Sequence, residues 1–248
     1  MGLTQSQQTA RSERKIETSS QREAEQMAGH EVFVTGGTGY LGSYLIPRLM
    51  ERGHRVRALV RSGSERRLAP GAQAVSGDAL NLSYVERISP CDTFVDLVGA
   101  SHPSSAKAKE FRAVDLAATR VAVAAALAAK VRHFVYVSVA QPAPVMKEYQ
   151  QARAECEEAI RASGLNATIL RPWYVLGPGH RWPYLTVPLY WLMYVLPPTR
   201  DLARRVGLVT LDEMIGAVVN AIETPCFGVR TFRVIDIRTA GSDTARGR

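Results

Sequence analysis

Four glycines fall within seven residues in the run Thr35-Gly36-Gly37-Thr38-Gly39-Tyr40-Leu41-Gly42. Backbone this bare can come close to a polyanion and offer it main-chain N–H groups. Gly36 and Gly37 permit a turn too tight for side chains. Gly39 lets the backbone approach a pyrophosphate, and Gly42 lets the following helix lie close to the preceding strand. Thr38, Tyr40 and Leu41 complete the expected contact set. A rival phosphate loop fails at one position: Gly37 and Gly42 have its spacing, but Ser43 stands where that loop needs lysine. The chemistry expected here is the binding of a dinucleotide diphosphate.

That reading needs a strand before the glycines and a helix after them. Val32-Phe33-Val34 is an apolar burst of the kind found in a buried parallel strand. Tyr44, Leu45 and Leu49 share one face of a helix over 43–52, in line with Leu41 just before it. A second strand over 54–60 ends at Arg61. An acidic residue at that place would bind the adenosine ribose hydroxyls, whereas arginine favours a 2′-phosphate. No Asp or Glu lies between Arg55 and Ser64, and Arg66 and Arg67 follow closely. NADP(H) is therefore expected over NAD(H). A third strand over 72–76 runs into Gly77-Asp78-Ala79, where Asp78 is read either as an acceptor for the adenine amino group or as a turn cap. A fourth over 93–98 brings Val98 and Gly99 beneath the expected ribose. An alanine-rich helix spans 106–130, a fifth strand 132–138, and a helix from Tyr149 to Ser163 ends at Gly164. A sixth strand covers 167–170. Thr210 and Glu213 form a capping box for a helix over 212–223, and 229–237 reads as a last strand. Strand and helix alternate throughout. The fold class is thus α/β, a doubly wound parallel Rossmann sheet with helices on both faces and a small C-terminal substrate or lid region. The expected divisions are a disordered leader at 1–28, a nucleotide-binding core at 29–172, the lid region at 173–237 and a flexible tail at 238–248.

The formal charge of +8 is spread along the chain. No stripe of interleaved aromatic and basic residues appears, so a polyanionic cofactor explains the charge better than nucleic acid does. Three isolated cysteines and five isolated histidines suit a reducing compartment, and no metal-ligand spacing is visible. A cytoplasmic location is expected.

With these motifs in hand, the chain resembles the atypical branch of the short-chain dehydrogenase/reductase superfamily, which includes the NmrA-like regulators and a nucleotide-binding accessory subunit of respiratory complex I. The resemblance rests on residues 35–42, Leu59-Val60-Arg61, Gly77-Asp78, residues 134–138, Arg153-Ala154-Glu155 and residues 170–179. It implies hydride transfer with a tyrosine acid/base, a lysine four residues later and a hydroxyl after the fifth strand. Here Tyr149 has Arg153 at that spacing, one helical turn along. Tyr44 and Arg48 repeat the spacing on the wrong helix. Arg153 supplies charge and donors but cannot deprotonate. The hydroxyl position falls on Val139, with Ala140 beyond it, while Ser138 is expected to face the ribose. A missing donor of this type costs about 2–4 kcal/mol of barrier. Tyr149 and Arg153 remain the catalytic candidates, and Arg153 is also a cofactor contact.

Beyond residue 173 the composition changes. All three tryptophans and four of the nine tyrosines lie between 173 and 194. His180 is a further acid/base candidate in this region, the alternative being a merely exposed loop histidine. The uncharged stretch 182–196 is read in three ways: an apolar lid over a small-molecule substrate, a dock for a protein partner, or a segment held peripherally at a membrane surface. Two functions remain open. One is an NADP(H)-dependent reductase or epimerase-like oxidoreductase acting on an apolar carbonyl. The other is a cofactor-holding sensor or structural subunit without turnover.

Overall fold

The computed structural model describes residues 29–99, 111–143, 146–179 and 207–245. The leader, His180 and the aromatic segment 182–196 lie outside the described residues. Strand β1 (Glu31–Thr35) runs into the glycine turn, and helix α1 (Tyr40–Glu51) leaves it. The strands β2 (Arg55–Val60), β3 (Gln73–Ser76) and β4 (Thr93–Asp96) follow. A π-helical turn (Phe111–Leu116) continues as α2 (Ala117–Ala128). Next come β5 (His133–Val137), α3 (Lys147–Ala162), β6 (Ala167–Leu170) and β7 (Tyr174–Leu176). The chain closes with β8 (Leu208–Thr210), α4 (Leu211–Glu223), β9 (Val229–Phe232) and α5 (Val234–Ala245).

Seven strands form one sheet in the order β3-β2-β1-β4-β5-β6-β9, and every neighbouring pair is parallel. Strands β7 and β8 make a separate parallel pair. Because side chains alternate across a strand, β1 divides its apolar residues between two cores. Val32 and Val34 pack with Leu45, Ile46 and Leu49 of α1 and with α4. Phe33 packs on the other face with Tyr84, Phe94, Phe134 and Ile160. The strand order reverses between β1 and β4, and the crevice at their carboxyl ends is where such sheets take a ligand.

The Thr210–Glu213 capping box is present, with both reciprocal hydrogen bonds formed. Gly164 follows α3 with a φ of +76°, as its place after the helix predicts. Two expectations need correction. Of the helix expected over 106–130, the described part is a π-helical turn over Phe111–Leu116 that becomes α-helical at Ala117 and ends at Ala128. The last strand stops at Phe232, and the tail expected to be flexible from 238 is helical to Ala245. Val234 and Ile237 are buried at helical spacing. Asp236 accepts the Arg233 N–H at 2.8 Å, which caps the turn. The crossing of α4 and α5 is tight: a Cβ on Gly241 would lie 2.2 Å from the Glu213 carbonyl oxygen.

At the opposite rim of the sheet, Glu223 joins α4 to α1. It accepts from Arg52 at 2.6 and 2.8 Å and lies 3.2 Å from His54 Nε2. The His30 N–H donates to His54 Nδ1, so a neutral His54 carries its proton on Nε2 and donates it to Glu223. Burial opposes the charge of Glu223, but these donors outweigh it and hold its pKa at about 2.

Candidate functional site

At the end of β1 the chain turns through Gly36, whose φ is +76°. A Cβ there would stand 2.8 Å from the Leu97 carbonyl carbon, so the turn passes against the end of β4 with no room for a side chain. The Gly39 N–H closes the turn onto the Gly36 oxygen at 3.0 Å. At Gly42 a Cβ would meet that same oxygen at 2.5 Å. Helix α1 begins here with no side-chain cap and no acidic residue in its first turn. Its positive end and first-turn N–H groups are therefore left to an anion. Space, donors and dipole together fit the diphosphate of a dinucleotide. Leu41 packs beneath against the first core. Tyr40 is covered from the side of β7, since a Cβ at Gly177 would lie 2.4 Å from its hydroxyl oxygen.

Arg61 is exposed immediately beyond β2. Arg67, from the turn after it, donates to the Thr38 carbonyl at 3.1 Å, which brings its guanidinium onto the glycine turn. Asp78 accepts the Leu80 N–H at 3.0 Å. Its carboxylate thus caps a local turn, the second of the two roles read for it. Ala79 packs on the second core.

At the carboxyl end of β4, Asp96 is buried and accepts from Thr35 at 2.7 Å, the Val98 N–H at 3.1 Å and Thr119 at 3.2 Å. Burial pushes its pKa up, with these donors opposing. Beside it lies Arg153, only 5% exposed. Its Nη1 donates to the Tyr136 hydroxyl at 2.8 Å and to the Val137 carbonyl at 3.1 Å. Its Nη2 is 3.1 Å from Asp115 Oδ2 and so close to Gly99 that a Cβ there would fall at 2.2 Å. The guanidinium carbon lies 5.3 Å from the centre of the Tyr149 ring. Burial disfavours the charge, yet Tyr136, Tyr149 and Asp115 hold the Arg153 pKa well above the usual range. Tyr149, Arg153, Val98 and Gly99 are thus gathered at the ends of β4 and β5, as their spacing predicts.

Ser138 is not where expected. Its hydroxyl donates at 2.6 Å to Glu157, which also accepts from Gln141 at 2.8 Å, Arg161 at 2.8 Å and Arg171 at 2.9 and 2.5 Å. A buried carboxylate needs several donors, and it claims this serine. Val139 and Ala140 are buried and apolar. Asp115, Tyr136 and Glu157 were missed by sequence reasoning. A signal for two of them exists. Glu157 continues the helical stripe of Tyr149 and Arg153, and Asp115 is the one acid among the alanines of 111–130.

Comparison with known proteins agrees with this geometry. The profile described as NAD(P)H-binding matches residues 36–181. The ceramide reductase of Caulobacter vibrioides is 27% identical over 215 residues, covering 85% of this chain and 66% of that protein. The 4-hydroxy-2-methyl-3-oxo-4-farnesyl-3,4-dihydroquinoline-1-oxide ketoreductase of Stigmatella aurantiaca is 31% identical over 170 residues, 58% of this chain and 50% of its relative. The chain thus spans between about half and two thirds of the length of these relatives. Among solved structures, MoeE5 in complex with UDP-glucose and NAD superposes with a TM-score of 0.63 at 20% identity, covering 86% of this chain and 81% of that one. The UDP-glucuronic acid 4-epimerase from Bacillus cereus in complex with NAD gives 0.61 at 16%, covering 82% and 77%. At such identities the likeness is one of fold. Glycine turn, sheet order and family match converge, and the chain belongs to the NAD(P)H-binding family as an atypical member of the short-chain dehydrogenase/reductase superfamily.

Proposed function

We propose that this chain is an NADP(H)-dependent reductase of an apolar carbonyl compound, with Tyr149 as proton donor and Arg153 as its electrostatic support. The observation that carries the reading is the Arg153 guanidinium, set against Gly99 and over the Tyr149 ring at the ends of β4 and β5. Bound across the glycine turn, reduced nicotinamide would supply the hydride. The Tyr149 hydroxyl would give its proton to the carbonyl oxygen and recover one from water. Arg153 orients and balances charge but relays no proton, because a guanidinium does not deprotonate. Arg61 and Arg67 are the groups suited to a 2′-phosphate. Apolar Val139 and Ala140, and relatives named for ceramide and farnesyl-bearing compounds, support a lipid-like substrate.

One observation favours a second reading, a cofactor-holding protein without turnover: the hydroxyl nearest the family's catalytic position, Ser138, is bound to Glu157. Consumption of NADPH across a panel of long-chain ketones, quinones and enals separates the two. The reductase reading expects turnover with at least one apolar ketone and a loss of about a hundredfold or more in Tyr149→Phe, with NADPH binding retained. Tight binding without consumption throughout the panel would establish the second reading instead.

A further inference from the structure

We propose that the chain of hydrogen bonds through His133, Thr168 and Arg230 is an acid-sensitive latch, holding the edge strand β9 and the segment 224–228 before it on the sheet. It lies at the amino ends of β5, β6 and β9, away from the carboxyl ends where the cofactor is read, so it does not depend on that reading. Thr168 and Arg230 stand opposite one another in the β6–β9 pairing. Arg230 Nη2 donates to the Thr168 hydroxyl at 3.1 Å and to the Thr224 carbonyl at 2.8 Å. It thus ties the edge strand both to its neighbour and to the residue after α4. A guanidinium can only donate, which leaves the Thr168 hydroxyl proton to be passed on. His133 Nε2 lies 3.1 Å away, nearer than the Cys226 sulfur at 3.7 Å. In this direction the chain needs a neutral imidazole that accepts at Nε2. Protonation turns that nitrogen into a donor, and two cations then point at one hydroxyl oxygen.

The surroundings do not offset the new charge. His133 is 1% exposed, and among the described residues no carboxylate bonds to it. It meets the Cys226 thiol at 3.9 Å from the connection before β9. Arg230 on β9 and His30, just before β1, both oppose a charge on it. The carboxylates of this rim are committed elsewhere. Asp92, just before β4, takes the Glu31 N–H and pairs with Arg132; Glu223 of α4 takes Arg52 and His54. Burial, with Arg230 and His30 adding to it, drives the His133 pKa down to about 4. Once the segment lifts, the imidazole meets water and its ordinary value of about 6.5 returns. The opened form therefore binds the proton first as pH falls. The latch carries no penalty above about pH 6.5, and a penalty that grows from there down to about pH 4.

The test is hydrogen exchange on the full chain between about pH 7.5 and about pH 4.5, corrected for the intrinsic rate at each pH and read peptide by peptide. For 167–170 and 224–232 the opening constant is expected to rise about tenfold for each unit below about pH 6.5, while 31–35 and 93–96 stay protected. In His133→Gln the rise is expected to vanish, because the amide keeps an acceptor for Thr168 and has no proton to gain in this range. Should that variant stand open at every pH, the unsubstituted chain still decides: its His133 imidazole, followed by NMR, must titrate together with the opening. A folded His133→Gln that keeps the rise overturns the proposal. So does a His133 that titrates near about pH 6.5 while 224–232 remain protected, or an opening constant for 224–232 that is flat across the range.

Discussion

Arg67 reaches back 29 residues to the Thr38 carbonyl, so the turn after β2 and the turn after β1 share a guanidinium. Arg61 stands exposed at the strand exit between them. A 2′-phosphate bound here would take charge-assisted hydrogen bonds worth about 1.5–3 kcal/mol each. Arg61→Ala and Arg67→Ala are each expected to weaken NADPH about tenfold and to leave NADH unchanged, as read by calorimetry. An equal loss for both cofactors would mean that the arginines serve only the loop. The expectation for Arg61 rests on position alone: no carboxylate lies at the end of β2. The reach of Arg67 was not legible, since a long side chain in a turn can point anywhere until its acceptor is placed. Ser138 failed for a related reason. Alignment fixes which way a strand residue faces, but the competing acceptor, Glu157, comes from a different element.

Glu157 shows how α3 is held to the sheet. Its carboxylate is fully buried, and donors reach it from the segment after β5, from Arg161 on its own helix and from Arg171 after β6. Burial opposes its charge, but the bonds from Arg171, Ser138 and Arg161 prevail and hold its pKa below the usual value. A carboxylate with a depressed folded-state pKa stabilises the fold above its unfolded value, near about 4.3, and that contribution is lost as pH falls through the folded value. Glu223 acts with the same sign down to about 2. Thermal unfolding between about pH 7 and about pH 3 is therefore expected to show a steep acid limb. In Glu157→Gln the neutral stability is expected to fall by about 1–3 kcal/mol, because the partly exposed Arg161 and Arg171 keep only a neutral acceptor, and the acid limb becomes shallower. An unchanged limb would assign the acid dependence elsewhere. The stripe Tyr149, Arg153, Glu157 was open to a helical reading. Its deepest member was passed over because solvated and buried carboxylates look alike in a sequence.

Across the whole molecule, most of the sheet could be read in advance because each central strand is an apolar burst closed by a turn signal. Burial on both faces demands that pattern. The C-terminal end was misread because Val234-Ile235-Asp236-Ile237 alternates like a strand. The helical pairing of Val234, Ile237 and Gly241 matters only once α4 is there to receive it. The same architecture sets the response to ligand. Cofactor bound across the β1 and β4 ends joins both halves of the sheet and touches only the folded chain, so it must raise stability by mass action. At about a hundredfold excess over its dissociation constant, NADPH contributes about 2.7 kcal/mol, which corresponds to a rise of about 5–10 °C for a chain of this size. NADH at the same concentration is expected to give a smaller rise, by the share of the 2′-phosphate. Gly42→Val makes the control. Its side chain would enter the 2.5 Å approach to the Gly36 oxygen, so the shift with either cofactor should vanish even where the variant still unfolds cooperatively. A variant that kept the full shift would show that the dinucleotide lies elsewhere than on the glycine turn.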